Sequence, residues 1–213
     1  SPLHPNFWRA PTDNDRGVFN FLRFLPYRIP WQQATRHLRL KKISYTSKSP
    51  SEVQIVTQFR IRHGKTPLLI HYRIFGNGEI RIEQKITPNT WMIRNGMQFQ
   101  VPKELQWISW YGRGPHENYC DRYTGAAVGL YSLPIDQFIH SYVRPQENAN
   151  RIDTRWFSLT NSEGNGLLIQ GAPWVNFSAW PYTQEDLAEA THIHEIIRRG
   201  TITLNIDEFQ QGV

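Results

Sequence analysis

The stretch Leu68-Leu69-Ile70-His71-Tyr72-Arg73-Ile74-Phe75-Gly76-Asn77-Gly78-Glu79-Ile80-Arg81-Ile82-Glu83-Gln84-Lys85-Ile86 decides the fold class. Leu68 to Phe75 is rich in the β-branched and aromatic residues that suit a pleated strand. Gly76-Asn77-Gly78 then supplies residues tolerant of positive φ, which a tight hairpin turn requires. Beyond the turn, Ile80 and Ile82 alternate with Glu79, Arg81 and Glu83, and the run closes on Lys85 and Ile86. That period of two is the pattern of a half-buried strand.

The same signal extends outward from this hairpin. From Leu38 onward the pattern is β. Glu52 to Arg62 places Val53, Ile55, Phe59 and Ile61 on an alternating pattern with one slip. Further strands are expected at 97–101, 105–111, 127–131, 154–160, 166–171, 174–180 and 201–206. One helix is expected after Pro181, where Thr183 stands three residues before Asp186 in a capping-box-like start. Leu187, Ala190 and Ile193 would form its buried stripe. Pro26 and Pro30 limit Phe19 to Arg36 to short helices, and Ser1 to Val18 reads as loop. Many short strands separated by turns, with little helix, predict an all-β antiparallel sandwich. With 213 residues, no repeats and no linker, residues 1–213 are expected to form a single domain.

Composition narrows the function classes. Hydrophobic residues make up 39% and charged residues 20%, a globular balance. No apolar run approaches the ~20 residues of a membrane helix, so no membrane partner is expected. The chain opens on Ser-Pro-Leu-His-Pro, with neither an initiator methionine nor a signal peptide, and is expected to be a piece of a longer protein. Cys120 is the only cysteine, which fits a reducing cytoplasm. The charge of +6 permits nucleic-acid binding. However, the densest basic run, Arg36 to Lys42, alternates with leucine as one outer strand face would. No recognition helix, zinc finger or RNA-binding motif accompanies it, so no nucleic-acid partner is expected.

Three polar loops carry the chemistry. The first is Asn6-Phe7-Trp8-Arg9-Ala10-Pro11-Thr12-Asp13-Asn14-Asp15-Arg16-Gly17. The second runs from Trp110 to Gly125 and contains Gly-Pro-His-Glu-Asn-Tyr-Cys-Asp-Arg at 114–122. The third is Tyr142-Val143-Arg144-Pro145-Gln146-Glu147-Asn148-Ala149-Asn150-Arg151. Tyrosine rings beside carboxylates, amides and guanidiniums are the materials of a sugar site. Asp13 and Asp15 do not start a calcium loop. The required glycine and glutamate positions, sixth and twelfth, hold Val18 and Phe24. His192 and His194, two apart, do not share a helix face for zinc. Glycoside hydrolysis needs two carboxyls, and Glu117 and Glu147 are the candidates. The reading favoured here ties both to neighbouring arginines, among Arg113, Arg122, Arg144 and Arg151. Such arginines would keep both carboxylates ionised and hold the loops together.

These motifs, in this order, resemble the β-galactosidase small chain, which is also the fifth, C-terminal domain of large family-two β-galactosidases. The Asn6–Gly17 segment, the Gly-Pro-x-Glu-Asn-Tyr-x-Asp-Arg segment, Tyr142 to Asn148, and Leu204-Asn205-Ile206-Asp207-x-Phe209 carry the match over nearly the whole chain. The resemblance implies an antiparallel supersandwich similar to galactose mutarotase, with short helices. It implies that the catalytic glutamates and the magnesium ligands lie on a separate TIM-barrel domain or large subunit, with no cofactor expected in this chain. Metal sites of this chain itself are left open. It further implies that Arg9, Asp13, Asn14, Asp15, Glu117, Asn118, Tyr119, Arg122, Glu147 and Asn148 build a loop face toward that barrel and its β-galactoside. Family strands before the first loop, and a galactose-site tryptophan after the last strand, are expected to be missing here. Unpaired strand edges would then favour self-association. The alternatives are a free-standing mutarotase-like aldose epimerase or carbohydrate-binding module, and an interaction module with no sugar role.

Overall fold

The computed structural model describes residues 1–17, 29–61, 67–88 and 90–213. The expectation for Phe19 to Arg36 is met by helical residues 29–36 (α2), while 18–28 lie outside the described residues. The strands are β1 (His4–Asn6), β2 (Arg39–Ser49), β3 (Glu52–Arg60), β4 (Pro67–Phe75), β5 (Ile80–Ile86), β6 (Arg94–Pro102), β7 (Trp107–Gly114), β8 (Ala127–Pro134), β9 (Arg151–Thr160), β10 (Gly166–Trp180) and β11 (Thr201–Gln210). Short helices α1 (Asp13–Arg16), α3 (Ile135–Phe138) and α4 (Gln184–Glu189) interrupt them. The all-β antiparallel class read from the sequence is the one observed.

The chain divides into two compact units, Tyr27–Met92 and Ser1–Pro26 with Ile93–Val213. The smaller holds a four-stranded sheet in the order β2-β3-β4-β5, every neighbour antiparallel. Its hairpin is the predicted one. Ile74 faces Ile80 across the ladder, and Phe75 N–H donates to the Glu79 carbonyl at 2.9 Å. Gly78 takes φ +89°, a conformation costly for any residue with a Cβ.

The larger unit holds a seven-stranded antiparallel sheet in the order β1-β6-β11-β10-β9-β7-β8. Alternation sends Ile108 and Trp110 of β7, Phe157 and Leu159 of β9, Phe177 and Ala179 of β10, and Ile202 and Leu204 of β11 into one core. At its centre Phe157 stacks on Phe177 with ring centroids 4.0 Å apart, and Trp110 meets Phe138 edge-on at 5.4 Å. β6 and β11 approach so closely that a Cβ on Gly96 would lie 1.9 Å from Asp207 Oδ1.

Several boundaries differ from expectation. Segments 166–171 and 174–180 are one strand, bent by a register shift between Gln170 and Val175. Gly171 and Pro173 read as a break in the sequence, but pairing to β9 resumes beyond them. Ser1 to Val18 is not all loop. β1 pairs with β6, and Asp13–Arg16 is a helical turn with Thr12 and Asp15 in a reciprocal capping box. The box at Thr183 and Asp186 forms as predicted, and Leu187 and Ala190 are buried. Ile193 is exposed instead, because the helix ends at Glu189. None of the described helices is long and apolar enough to cross a membrane.

Phe177 touches the core from the strand between β9 and β11, so Phe177→Ala is expected to cost about 3–5 kcal/mol in urea unfolding. A loss below about 1 kcal/mol would contradict this placement of the core.

Candidate functional site

The three loops do come together, all within the larger unit. The first and third are latched by a reciprocal pair. Asp13 N–H donates to Gln146 Oε1 at 2.8 Å, and Gln146 Nε2 donates to Asp13 Oδ2 at 3.1 Å. Arg16 adds a guanidinium contact to the Pro145 carbonyl at 3.4 Å. Within the first loop, buried Arg9 pairs with Asp15 at 2.6 Å and donates to the Gly212 carbonyl at 2.9 Å. An Arg–Asp pair thus pins this turn.

Glu117 latches the second loop to the third. Its Oε1 accepts from Tyr142 Oη in a short hydrogen bond and from Arg122 Nη2 at 2.5 Å. Its Oε2 accepts the Ala149 N–H at 2.8 Å. Asn118 reinforces the seam: its N–H donates to the Asn150 carbonyl at 2.9 Å, and its Oδ1 accepts from Ile152 N–H at 2.9 Å. Ala149 holds φ +66°, a strained backbone for a residue with a Cβ. The Asn148 side chain accepts from His140 N–H and donates to the Gln146 carbonyl, and the Asn148 carbonyl accepts from Trp180 Nε1.

Beneath the loops lies a buried charge cluster that the sequence reading missed. Arg94, Glu147 and Asp207 are each fully buried. Arg94 donates to Glu147 Oε1 at 3.1 Å, Gln184 Oε1 at 2.7 Å, Gln210 Oε1 at 2.7 Å and the Trp8 carbonyl at 3.3 Å. Its Nε stands 3.2 Å from Asp207 Oδ1. Among the described residues, neither Asp207 oxygen nor Glu147 Oε2 has a hydrogen-bond partner. Burial pushes the Asp207 carboxyl up to about 7, because Arg94 offsets the desolvation only in part and Glu147 adds repulsion. Burial raises Glu147 as well, against the pull of Arg94, Gln210 and Arg9. Arg94 itself is raised, since the two carboxylates outweigh the effect of burial on its charge.

This geometry corrects two expectations. The arginine on Glu147 is Arg94 from β6, not Arg144 or Arg151, and burial raises the Glu147 carboxyl in spite of it. Arg151 instead donates to the Ala149 and Phe138 carbonyls and lies 4.2 Å over the Phe138 ring. Burial lowers its pKa to about 10. Arg113 pairs with Asp153 at 2.6 Å. Tyr119 is also buried, with Arg122 4.9 Å over its ring, so it offers no face to a sugar. Of the ten predicted residues, Arg9, Asn118, Tyr119, Glu147 and Asn148 are interior ties, and Glu117 is nearly covered. Asp13, Asn14 and Arg122 remain at the surface, with Asp15 partly so. One signal for Arg94 was available: a lone arginine between Met92-Ile93 and the β-like run at 97–101. His192 and His194 are exposed and stacked on each other. No cluster of three His, Cys, Asp or Glu side chains that could hold a metal is found among the described residues.

Residues 1–213 match the family model described as "Beta galactosidase small chain" over their whole length. The chain belongs to this family. Its relatives include the "Beta-galactosidase" of Priestia megaterium, 34% identical over all of this chain and 20% of that protein. That of Actinobacillus pleuropneumoniae is 30% identical over all of this chain and 21% of its own length. That of Lactobacillus delbrueckii subsp. bulgaricus is 32% identical over 92% of this chain and 19% of its own length. The small chain therefore spans about one fifth of the length of these relatives.

The raised Asp207 carboxyl has a consequence for stability. A carboxyl whose folded pKa exceeds its unfolded value near 4 holds a proton that the unfolded chain releases. Its contribution is fully present below about pH 4 and is lost as pH rises through about 7. Urea midpoints are therefore expected to fall between pH 5 and pH 8, and Asp207→Asn is expected to shrink that fall. Glu147, shifted in the same direction, leaves a remainder. An equally steep fall in the variant would remove Asp207 from the account.

Proposed function

We propose that this chain is a non-catalytic part of a β-galactosidase. In this reading its latched loops form one wall against the catalytic barrel and help to bind carbohydrate there. The whole enzyme would hydrolyse terminal non-reducing β-D-galactosides with retention, through a glycosyl-enzyme on the barrel. Magnesium, where required, would be held by the barrel.

The observation that carries this reading is the fate of the two loop glutamates. Hydrolysis needs a protonated carboxyl at the leaving oxygen and a carboxylate at the anomeric carbon. Glu147 is fully buried and cannot reach a sugar. Glu117 has both oxygens engaged by Arg122, Tyr142 and the Ala149 N–H. The same engagement argues against an epimerase that would use Glu117 as its base. Glu117 ties the second loop to the third, and Glu147 anchors the third on Arg94 beneath it, which suits a domain that completes a site built elsewhere.

Hydrolysis of a chromogenic β-galactoside is the test. The chain alone is expected to be inactive. Mixed with the remaining four fifths of a β-galactosidase, it is expected to restore turnover. Turnover by the chain alone, or no turnover in the mixture, would overturn the proposal. The double variant Glu117→Gln, Arg122→Ala loosens the seam between the second and third loops. It is expected to raise the chain concentration giving half-maximal activity by about tenfold, the equivalent of about 1.4 kcal/mol.

A further inference from the structure

The positive charge of the chain is concentrated in the smaller unit. Residues 27–92 hold twelve lysines and arginines against three glutamates. That is +9 within a chain of net +6, which leaves the remainder at −3. Strand register gathers part of this charge on one face of the sheet β2-β3-β4-β5. Arg39 of β2 stands directly opposite Arg60 of β3, and Lys42 stands opposite Gln58, two residues before Arg60. The bulge between Leu40 and Lys42 adds Lys41 at the same corner. The row through Lys42 and Gln58 continues over Leu69 to Lys85. Arg39, Lys41, Lys42, Arg60 and Lys85 are all exposed.

Ordinary surface chemistry explains only part of this corner. Lysine on an edge strand guards against edge-to-edge pairing, which covers Lys41 and Lys42. Arg60 lies on an interior strand, and like charges directly opposite across a ladder are destabilising. Elsewhere on the sheet the arginines are matched: Arg73 meets Glu52 at 3.1 Å, and Arg81 meets Glu79 at 2.7 Å. Among the described residues, no ion pair engages Arg39, Lys41, Lys42 or Arg60. Lys85 has only a loose contact with Glu83 at 4.0 Å, both exposed, which is worth little. Unmatched cations around one cross-strand pair suit a ligand that carries repeated negative charge. Beside them on the same face stand Gln58, Ser44, Thr46 and Gln54, amides and hydroxyls that can answer the hydroxyls of a sugar. At the far end Phe75 lies under Arg73 and Arg81, so its ring is not open for stacking a base. Four strands span about 14 Å between their outer backbones alone, wider than the ~12 Å major groove of a duplex.

We infer that the Arg39–Arg60 corner of the smaller unit binds an acidic polysaccharide, its cations taking the carboxylates of successive uronate units. None of the loop-wall residues takes part, so this inference stands or falls separately from the function proposed above. Calorimetric titration of the chain with polygalacturonate tests it. Wild type is expected to bind at about 50 mM salt and to lose at least about fivefold in affinity at about 200 mM, because its cations displace counterions from the polymer. The double variant Arg39→Ser, Arg60→Ser is expected to weaken binding at least about tenfold. Its melting temperature is expected to stay level or rise, because the like-charge pair is gone. Arg81→Gln removes a charge already matched by Glu79 and is expected to bind within about twofold of wild type.

No binding of polygalacturonate by wild type, or equal binding of neutral galactan, would overturn the proposal. So would an equal loss in Arg81→Gln, which would make the effect one of net charge alone. Tighter binding of duplex DNA, or of vesicles containing phosphatidylserine, would also overturn it and reassign the corner to nucleic acid or to a membrane surface. Should the double variant fail to melt cooperatively, Lys42→Glu decides in its place, since that side chain is exposed on the edge strand. A loss of at least about tenfold is expected there, and unchanged affinity would overturn the proposal.

Discussion

A fully buried guanidinium with two fully buried carboxylates around it is the constraint on which the larger unit depends. Arg94 sits on β6 and reaches the N-terminal segment at Trp8, the third loop at Glu147, helix α4 at Gln184 and strand β11 at Asp207 and Gln210. Removing a charge from water costs several kcal/mol unless partners replace the hydration. Each of these elements therefore has to arrive in place for the arginine to be buried at all. The cluster is also over-supplied with acid. Both carboxyls lean on Arg94, and burial pushes one of them, Asp207, up to about 7. A buried ionic arrangement of this kind is a poor source of stability but a demanding geometric requirement.

The loop wall is built by the same logic at the surface. Glu117 does for the second and third loops what Arg94 does underneath, and Asp13 with Gln146 does it for the first and third. The conspicuous residues of the loops are mostly ties rather than ligands. Their spacing in sequence, with Pro before Glu-Asn in two separate segments, reflects matching backbone demands. Asn118 and Asn148 both spend their side chains on loop backbone.

The hairpin, the class of the fold and the cap of α4 were legible because each rests on local chemistry: alternation, positive φ at glycine, and the Thr–Asp box. The continuity of β10 across Gly171 and Pro173 was not legible, because the pairing that carries it belongs to β9. The arginine partner of Glu147 was not legible either. Arg144 is three residues away and Arg151 four, whereas Arg94 is 53 away. Proximity in sequence favoured the wrong pair, and only the fold brings β6 under the third loop. Tyr119 was misread for a related reason: a tyrosine in a polar loop looks available until the loops close over it.

By itself the sequence determined that the chain forms antiparallel strands, where most of them run, which segments are loops, and which family its ordered motifs match. Those properties follow from nearest-neighbour patterning and from residue types that only certain backbones accept. The tertiary structure decided which loops touch, which charges lose water and which tyrosines remain exposed. These depend on strand order and register. A shift of one residue would exchange every buried and exposed side chain on a strand, and the local sequence pattern alone does not record it.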